Sequence, residues 1–268
     1  MEQQKKNFKN YRTIKRLEIS KMSSLIEAMN DEVNKKEKTL LISSYIVLVY
    51  AYWESSFHKF QQLMLDSYKN IPIKLLPFNL KNNLLLTLAK ISVGGNGKKI
   101  INEVKQMSIF EGIIKITQEN EELGIEEIFC KYHDKISRKD LDKHFILETA
   151  NPNLDRASEL LKTYSIKLER IIKEGKESEK IKPYFDEGLD FIIKQRNSIA
   201  HKNEKISYKD NEYEEYDLCM KDLVKDIANG TNTLERPEFF INEMTFQIDS
   251  FFDIMVDYLE KNIEGLKK

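Results

Sequence analysis

Nine consecutive residues, Tyr45-Ile-Val-Leu-Val-Tyr-Ala-Tyr-Trp53, carry no charged side chain. Wound as a helix, such a run is apolar on every side. A helix apolar all round belongs at the centre of a bundle, covered by neighbours. The helical period continues on both sides of the run, which predicts one long helix over about residues 39–69. Nine residues rise only about 13 Å, well short of a membrane crossing.

The remaining chain offers the neighbours that this helix needs. Five Pro and nine Gly in 268 residues leave room for long helices, and no period-two strand pattern and no internal repeat is present. Residues 1–34 read as a helix with Ile14, Leu17, Met22, Leu25, Ile26, Met29 and Val33 towards the core. Leu80, Leu84, Leu85, Leu88 and Ile91 mark a second helix after the Pro-containing break at 70–77. Asn151 as cap and Pro152 in the first turn start another, which carries Leu154, Leu160, Leu161 and Tyr164. The last begins near Arg236-Pro237-Glu238 and holds Phe239, Phe240, Met244, Phe246, Ile248, Phe251, Phe252, Met255, Val256 and Leu259. The expected class is all-α: one domain over 1–268, with core helices at about 39–69, 181–201, 211–228 and 236–264. A helical insertion at about 78–175 separates the first two core helices.

Lys plus Arg is 43 against 44 for Asp plus Glu, which excludes a chain that coats nucleic acid by bulk charge; any contact with a polyanion needs a local patch. The first 21 residues offer one candidate. Lys5, Lys6, Lys9, Arg12, Lys15, Arg16 and Lys21 stand against Glu2 and Glu18, as either a solvated face or an arm tracking an RNA backbone. Two cysteines, Cys130 and Cys219, are too few for a disulfide framework. With no signal-like start, they point to a reducing, cytoplasmic setting without a membrane anchor. Cys130, His133 and His144 match no zinc spacing, so no metal and no cofactor is expected. Val93-Gly-Gly-Asn-Gly-Lys-Lys99 lacks the spacing and the trailing hydroxyl of a phosphate loop and reads as a turn.

One stretch carries chemistry: Gln195-Arg-Asn-Ser-Ile-Ala-His201. Tyr184, Phe185, Leu189, Ile192 and Ile193 form an apolar stripe whose extension lands on Arg196. Asp190, Lys194, Asn197 and His201 run along the polar edge, where Asn197 can reach His201 and fix its tautomer. Arg196 and His201 are five apart, about 140° around a helix axis. Either the helix ends near Ala200 or a second copy of the chain supplies the missing group. Lys194 and Lys202 add positive charge, and no acid occurs from Phe191 to Asn203, which suits an RNA phosphate. On spacing alone a plainer reading is favoured: a buried Arg paired with an acid, and a surface His at a helix end. Glu54 closes the apolar run among Tyr50, Phe57 and His58. It is expected either to lie near Arg196 as a supporting residue or to reach out to water.

Tyr50, Trp53 and Glu54 with Phe57, then Phe145–Ser165 around Asn151-Pro152, then Arg196-Asn-Ser-Ile-Ala-His201 with a following polar loop and helix, together resemble the HEPN superfamily of all-α proteins. The similarity is closer to its MAE-type branch, often encoded beside bacterial defence genes, and spans about residues 10–260. The resemblance implies a metal-independent endoribonuclease acting as a toxin or antiphage effector. It also implies a homodimer in which the motif helices of two copies meet, and an antitoxin or other defence-system protein as partner. Arg196, Asn197 and His201 would be its catalytic residues. The alternative it allows is a non-catalytic HEPN module for nucleotide binding or protein interaction. A subset of HEPN toxins has a modifiable Tyr two residues after the His. Here that position is Asn203, which argues against control by that route.

Overall fold

The computed structural model of the protein describes residues 2–29, 35–93, 109–132, 152–168, 181, 185–202 and 237–266. Among the described residues there are eight α-helices and no strand. They are α1 (Glu2–Glu27), α2 (Lys35–Tyr68), α3 (Phe78–Val93), α4 (Ile109–Glu119), α5 (Ile125–Tyr132), α6 (Leu154–Thr163), α7 (Phe185–Lys202) and α8 (Pro237–Leu266). A 3₁₀ turn, Ile73–Leu75, follows α2 where the prolines break the chain. The core helix expected at 211–228 lies outside the described residues, as do the Gly-rich turn after Val93, His133, His144 and Cys219.

Helix α2 is the central member, packed against α1, α7 and α8, with α1 and α7 also touching α8. Its Tyr45, Ile46, Val49, Tyr50, Tyr52, Trp53, Phe57 and Phe60 are almost fully buried. The segment Leu40–Tyr68 is long and apolar enough to cross a membrane by length and composition, further than the nine-residue run implies. Half of its most apolar window is buried within the fold, and that side meets α1, α7 and α8. Trp53 is the hub. Its ring contacts Phe57, Phe185 of α7, and Phe251 and Phe252 of α8, at centroid separations of 5.3–6.3 Å. Its indole N–H donates to the Pro152 carbonyl at 2.5 Å. A buried Trp needs such an acceptor, so one side chain ties the bundle to the start of α6.

Helix α1 corrects the expected core face. Ile14, Leu17 and Leu25 are 58–59% exposed, and the buried side chains are Phe8, Arg12, Ile19, Ser23 and Ile26. The physical reason is Arg12. Its guanidinium lies against both the Phe8 and Phe252 rings, at 5.4 and 5.7 Å, and is bonded to Asp249 at 2.7 Å and Asp253 at 2.8 Å. Tyr52 donates its hydroxyl to the same Asp249 carboxylate. Burial works to lower the pKa of Arg12, but Tyr52, Asp249 and Asp253 outweigh it and the net shift is upward. Burial raises that of Tyr52. Arg16 also reaches Asp249, and Lys5 reaches Glu260. The basic arm is therefore in part a seam that docks α1 onto α8 through Lys5, Arg12 and Arg16, while Lys15 pairs with Glu18 on α1 itself and Lys6, Lys9 and Lys21 are exposed. On α8, Phe246 is likewise outside the core, at 59% exposure.

Two further boundaries shift. Helix α6 is capped by Asn153, not Asn151: its side chain accepts from the Arg156 N–H at 3.1 Å. Helix α7 is described from Phe185, and Ile181, the expected start, lies in a bend. The inserted helices are joined to the bundle. Ile73 and Lys74 donate backbone N–H groups to Leu123 and Glu121, and Asn262 of α8 donates to the Tyr68 hydroxyl and the Tyr164 carbonyl. Gly124 is pressed against the end of α2: a Cβ there would sit 2.6 Å from the Lys69 carbonyl oxygen. Backbone cannot yield as a side-chain tip can. Gly124→Ala is thus expected to lower stability by about 1–3 kcal/mol, the usual range for overpacking. An unchanged urea midpoint would show that this junction adjusts freely.

Candidate functional site

The motif helix α7 owes its position to its apolar stripe. Phe185 meets Trp53 and Phe251, Phe191 meets Phe240 edge-on, and Leu189, Ile192 and Ile193 are buried. Gly188 lets α7 close on α8, where a Cβ would crowd the Met244 sulfur. The charge along the helix is divided. Asp186, Glu187 and Asp190 occupy its first half, where negative charge favours the N-terminal dipole. Lys194, Arg196 and Lys202 occupy the second. Burial, then the neighbouring Asp190, Asp155 and Glu187, push the Asp186 carboxyl above the usual carboxylate range.

Extending the stripe one turn brings Arg196 to the edge of the core, half-buried. Its guanidinium carbon lies 4.5 Å from the centroid of the Tyr50 ring on α2. One of its terminal nitrogens donates to the Asn197 side-chain oxygen at 2.9 Å. Tyr50, itself buried, donates its hydroxyl to Glu54 at 2.9 Å. The expected nearness of Glu54 and Arg196 thus takes a specific form: both contact Tyr50, one at its hydroxyl and the other at its ring. Asn197 holds the guanidinium, a role the spacing did not foresee.

Helix α7 continues unbroken through Lys202. The helix thus takes in position 201 and does not stop short of it at Ala200. Positions 196 and 201 stay about 140° apart around one axis, with Asn197 between them and Lys194 exposed on the far side. The structure brings Arg196, Asn197, Tyr50 and Glu54 together, and it sets the backbone of His201 on another face of the same helix. The side chains of His201 and Lys202 lie outside the described atoms. Among the described residues no group of three or more His, Cys, Asp or Glu is arranged to hold a metal ion, and Cys130 is exposed as a free thiol.

Sequence reasoning missed the centrality of Tyr50. The signal was present in its spacing, four residues before Glu54 on one helix face. The buried Arg12–Asp249 pair was also missed. Its signal was an acid lodged between the apolar Ile248 and the pair Phe251-Phe252.

A family model described as RiboL-PSP-HEPN matches residues 12–232. That span includes the apolar run of α2, the inserted helices and the whole of α7. No curated protein and no solved structure matches the chain.

Proposed function

The chain belongs to the RiboL-PSP-HEPN family, and from that premise we propose that it is a metal-independent endoribonuclease whose site is completed by a second copy of itself. The observation that carries this reading is the unbroken helix through Lys202, with Arg196 pinned at the bundle edge by Tyr50 and Asn197. Positions 196 and 201, about 140° apart around one helix, serve one phosphate when a twofold axis brings a second such helix alongside.

RNA supplies its own nucleophile, the 2′-hydroxyl. In the proposed mechanism the imidazole of His201 takes the 2′-proton as the 2′-oxygen attacks phosphorus. The P–O5′ bond breaks, and the leaving 5′-oxygen receives a proton from the His201 of the other copy. Arg196 offers paired N–H donors to the phosphate oxygens as charge accumulates on them, a role for which Lys is a poor replacement. Asn197 keeps the guanidinium in place, and Lys194 and Lys202 add attraction for the RNA backbone. The products are a 2′,3′-cyclic phosphate and a 5′-hydroxyl.

The narrower placement, in the MAE-type branch and as a cytoplasmic toxin or antiphage effector restrained by a partner protein, rests on Tyr50, Trp53 and Glu54 occurring with the Arg196–His201 motif. Incubation with total RNA and tRNA in EDTA, followed by end-group analysis, tests the reaction. Cyclic-phosphate ends from RNA and intact DNA are expected. Intact RNA under those conditions, with nucleotide or protein binding retained, would support the non-catalytic module instead.

A further inference from the structure

A guanidinium at the end of a long side chain has rotamer entropy to lose before it can hold a phosphate in a fixed geometry. Groups that restrict it beforehand raise its value in the transition state. Around Arg196 those groups are visible. The Tyr50 ring covers the cation at 4.5 Å, and this contact uses none of its five N–H donors. Asn197 engages one donor. The Tyr50 ring is itself immobilised: it is 1% exposed, flanked along α2 by the buried Val49 and Trp53, and tied through its hydroxyl to half-buried Glu54.

We propose that Tyr50 is the positioning residue for Arg196, with Glu54 acting at one remove by fixing the Tyr50 ring. The chain of contact runs Glu54 carboxylate, Tyr50 hydroxyl, Tyr50 ring, Arg196 guanidinium, and it joins α2 to the motif helix α7. The catalytic consequence rests on the ribonuclease reading above; the geometric assignment does not. Tyr50 touches no reacting atom. Its effect is to keep the planar fork of Arg196 at one place and one tilt, so that substrate meets a formed site.

Two measurements on the full chain separate these statements. The first is the side-chain Nε–Hε NMR resonance of Arg196, assigned by its loss in Arg196→Lys. A guanidinium held over an aromatic face gives an upfield, ring-current-shifted proton signal, and that position is expected in the wild type and in Tyr50→Phe but not in Tyr50→Leu. An unshifted wild-type signal overturns the assignment, and this readout needs no active enzyme. The second is steady-state cleavage. Tyr50→Leu is expected to lower kcat by about ten- to hundredfold with KM little changed, the scale of a misplaced catalytic group. Tyr50→Phe, which keeps the ring, should recover most of the rate, and Glu54→Gln, which still offers the hydroxyl an acceptor, should lose no more than Tyr50→Phe. Loss in Tyr50→Phe equal to that in Tyr50→Leu, or full activity in Tyr50→Leu, overturns the proposal. A shifted Arg196 signal in a protein that cleaves no RNA sustains the geometry and sinks the ribonuclease reading alone.

Discussion

Arg196→Ala and His201→Ala are each expected to remove detectable RNA cleavage while leaving the fold and the proposed dimer intact. Loss of a positioned proton-transfer group costs about 10²–10⁴ in rate. Loss of a donor that stabilises developing charge costs about 10²–10³. Arg196 is half-buried, and its removal leaves Tyr50 with its Glu54 hydrogen bond, so α7 keeps its seat on Trp53 and Phe251. Arg196→Lys preserves the charge but not the fork and should remain strongly impaired. Circular dichroism and light scattering check that the variants are folded and paired, and end-labelled RNA reads the activity. Wild-type rates in either alanine variant would mean that these residues do not do the chemistry assigned to them.

The largest stability effect is expected at the other side of α2. Asp249→Ala removes the carboxylate that meets Arg12, Arg16 and the Tyr52 hydroxyl, and leaves a 5% exposed guanidinium with the Asp249 carbonyl and Asp253 as its remaining oxygen partners besides Tyr52. Breaking a buried pair from one side typically costs about 3–5 kcal/mol, because the surviving charge stays desolvated. At about 2–4 °C per kcal/mol the melting temperature should fall by roughly ten degrees. The informative control is the apolar replacement of the whole group. Arg12→Met with Asp249→Leu and Tyr52→Phe should recover most of the loss, since well-packed apolar side chains often match a buried ion pair. A single Asp249→Ala variant as stable as wild type would show that α1 is held by its Phe8, Ile19 and Ile26 contacts alone.

The helical class, the central place of α2 and the apolar stripe leading to Arg196 were legible in the sequence because they depend on period, and period is local. A run apolar on all sides has to be surrounded, and a stripe of Leu189, Ile192 and Ile193 has to face what surrounds it. The orientation of α1 was not legible. Its sequence offers two stripes, and the choice between Ile14, Leu17 and Leu25 on one side and Phe8, Arg12 and Ile19 on the other was decided by an acid 237 residues away in sequence. The cap of α6 moved two residues for a related reason: the Pro152 carbonyl is the acceptor of the Trp53 indole, so the helix begins beyond it.

For the candidate site, the sequence by itself singled out the candidate residues and placed two of them on diverging positions of one helix, since residue identity and the 3.6-residue turn are both readable along the chain. Only the tertiary structure decided that the helix runs on through Lys202, and that Arg196 comes to rest against a tyrosine from another helix. A contact between α2 and α7 depends on how two faces pack, and neither segment alone specifies its neighbour.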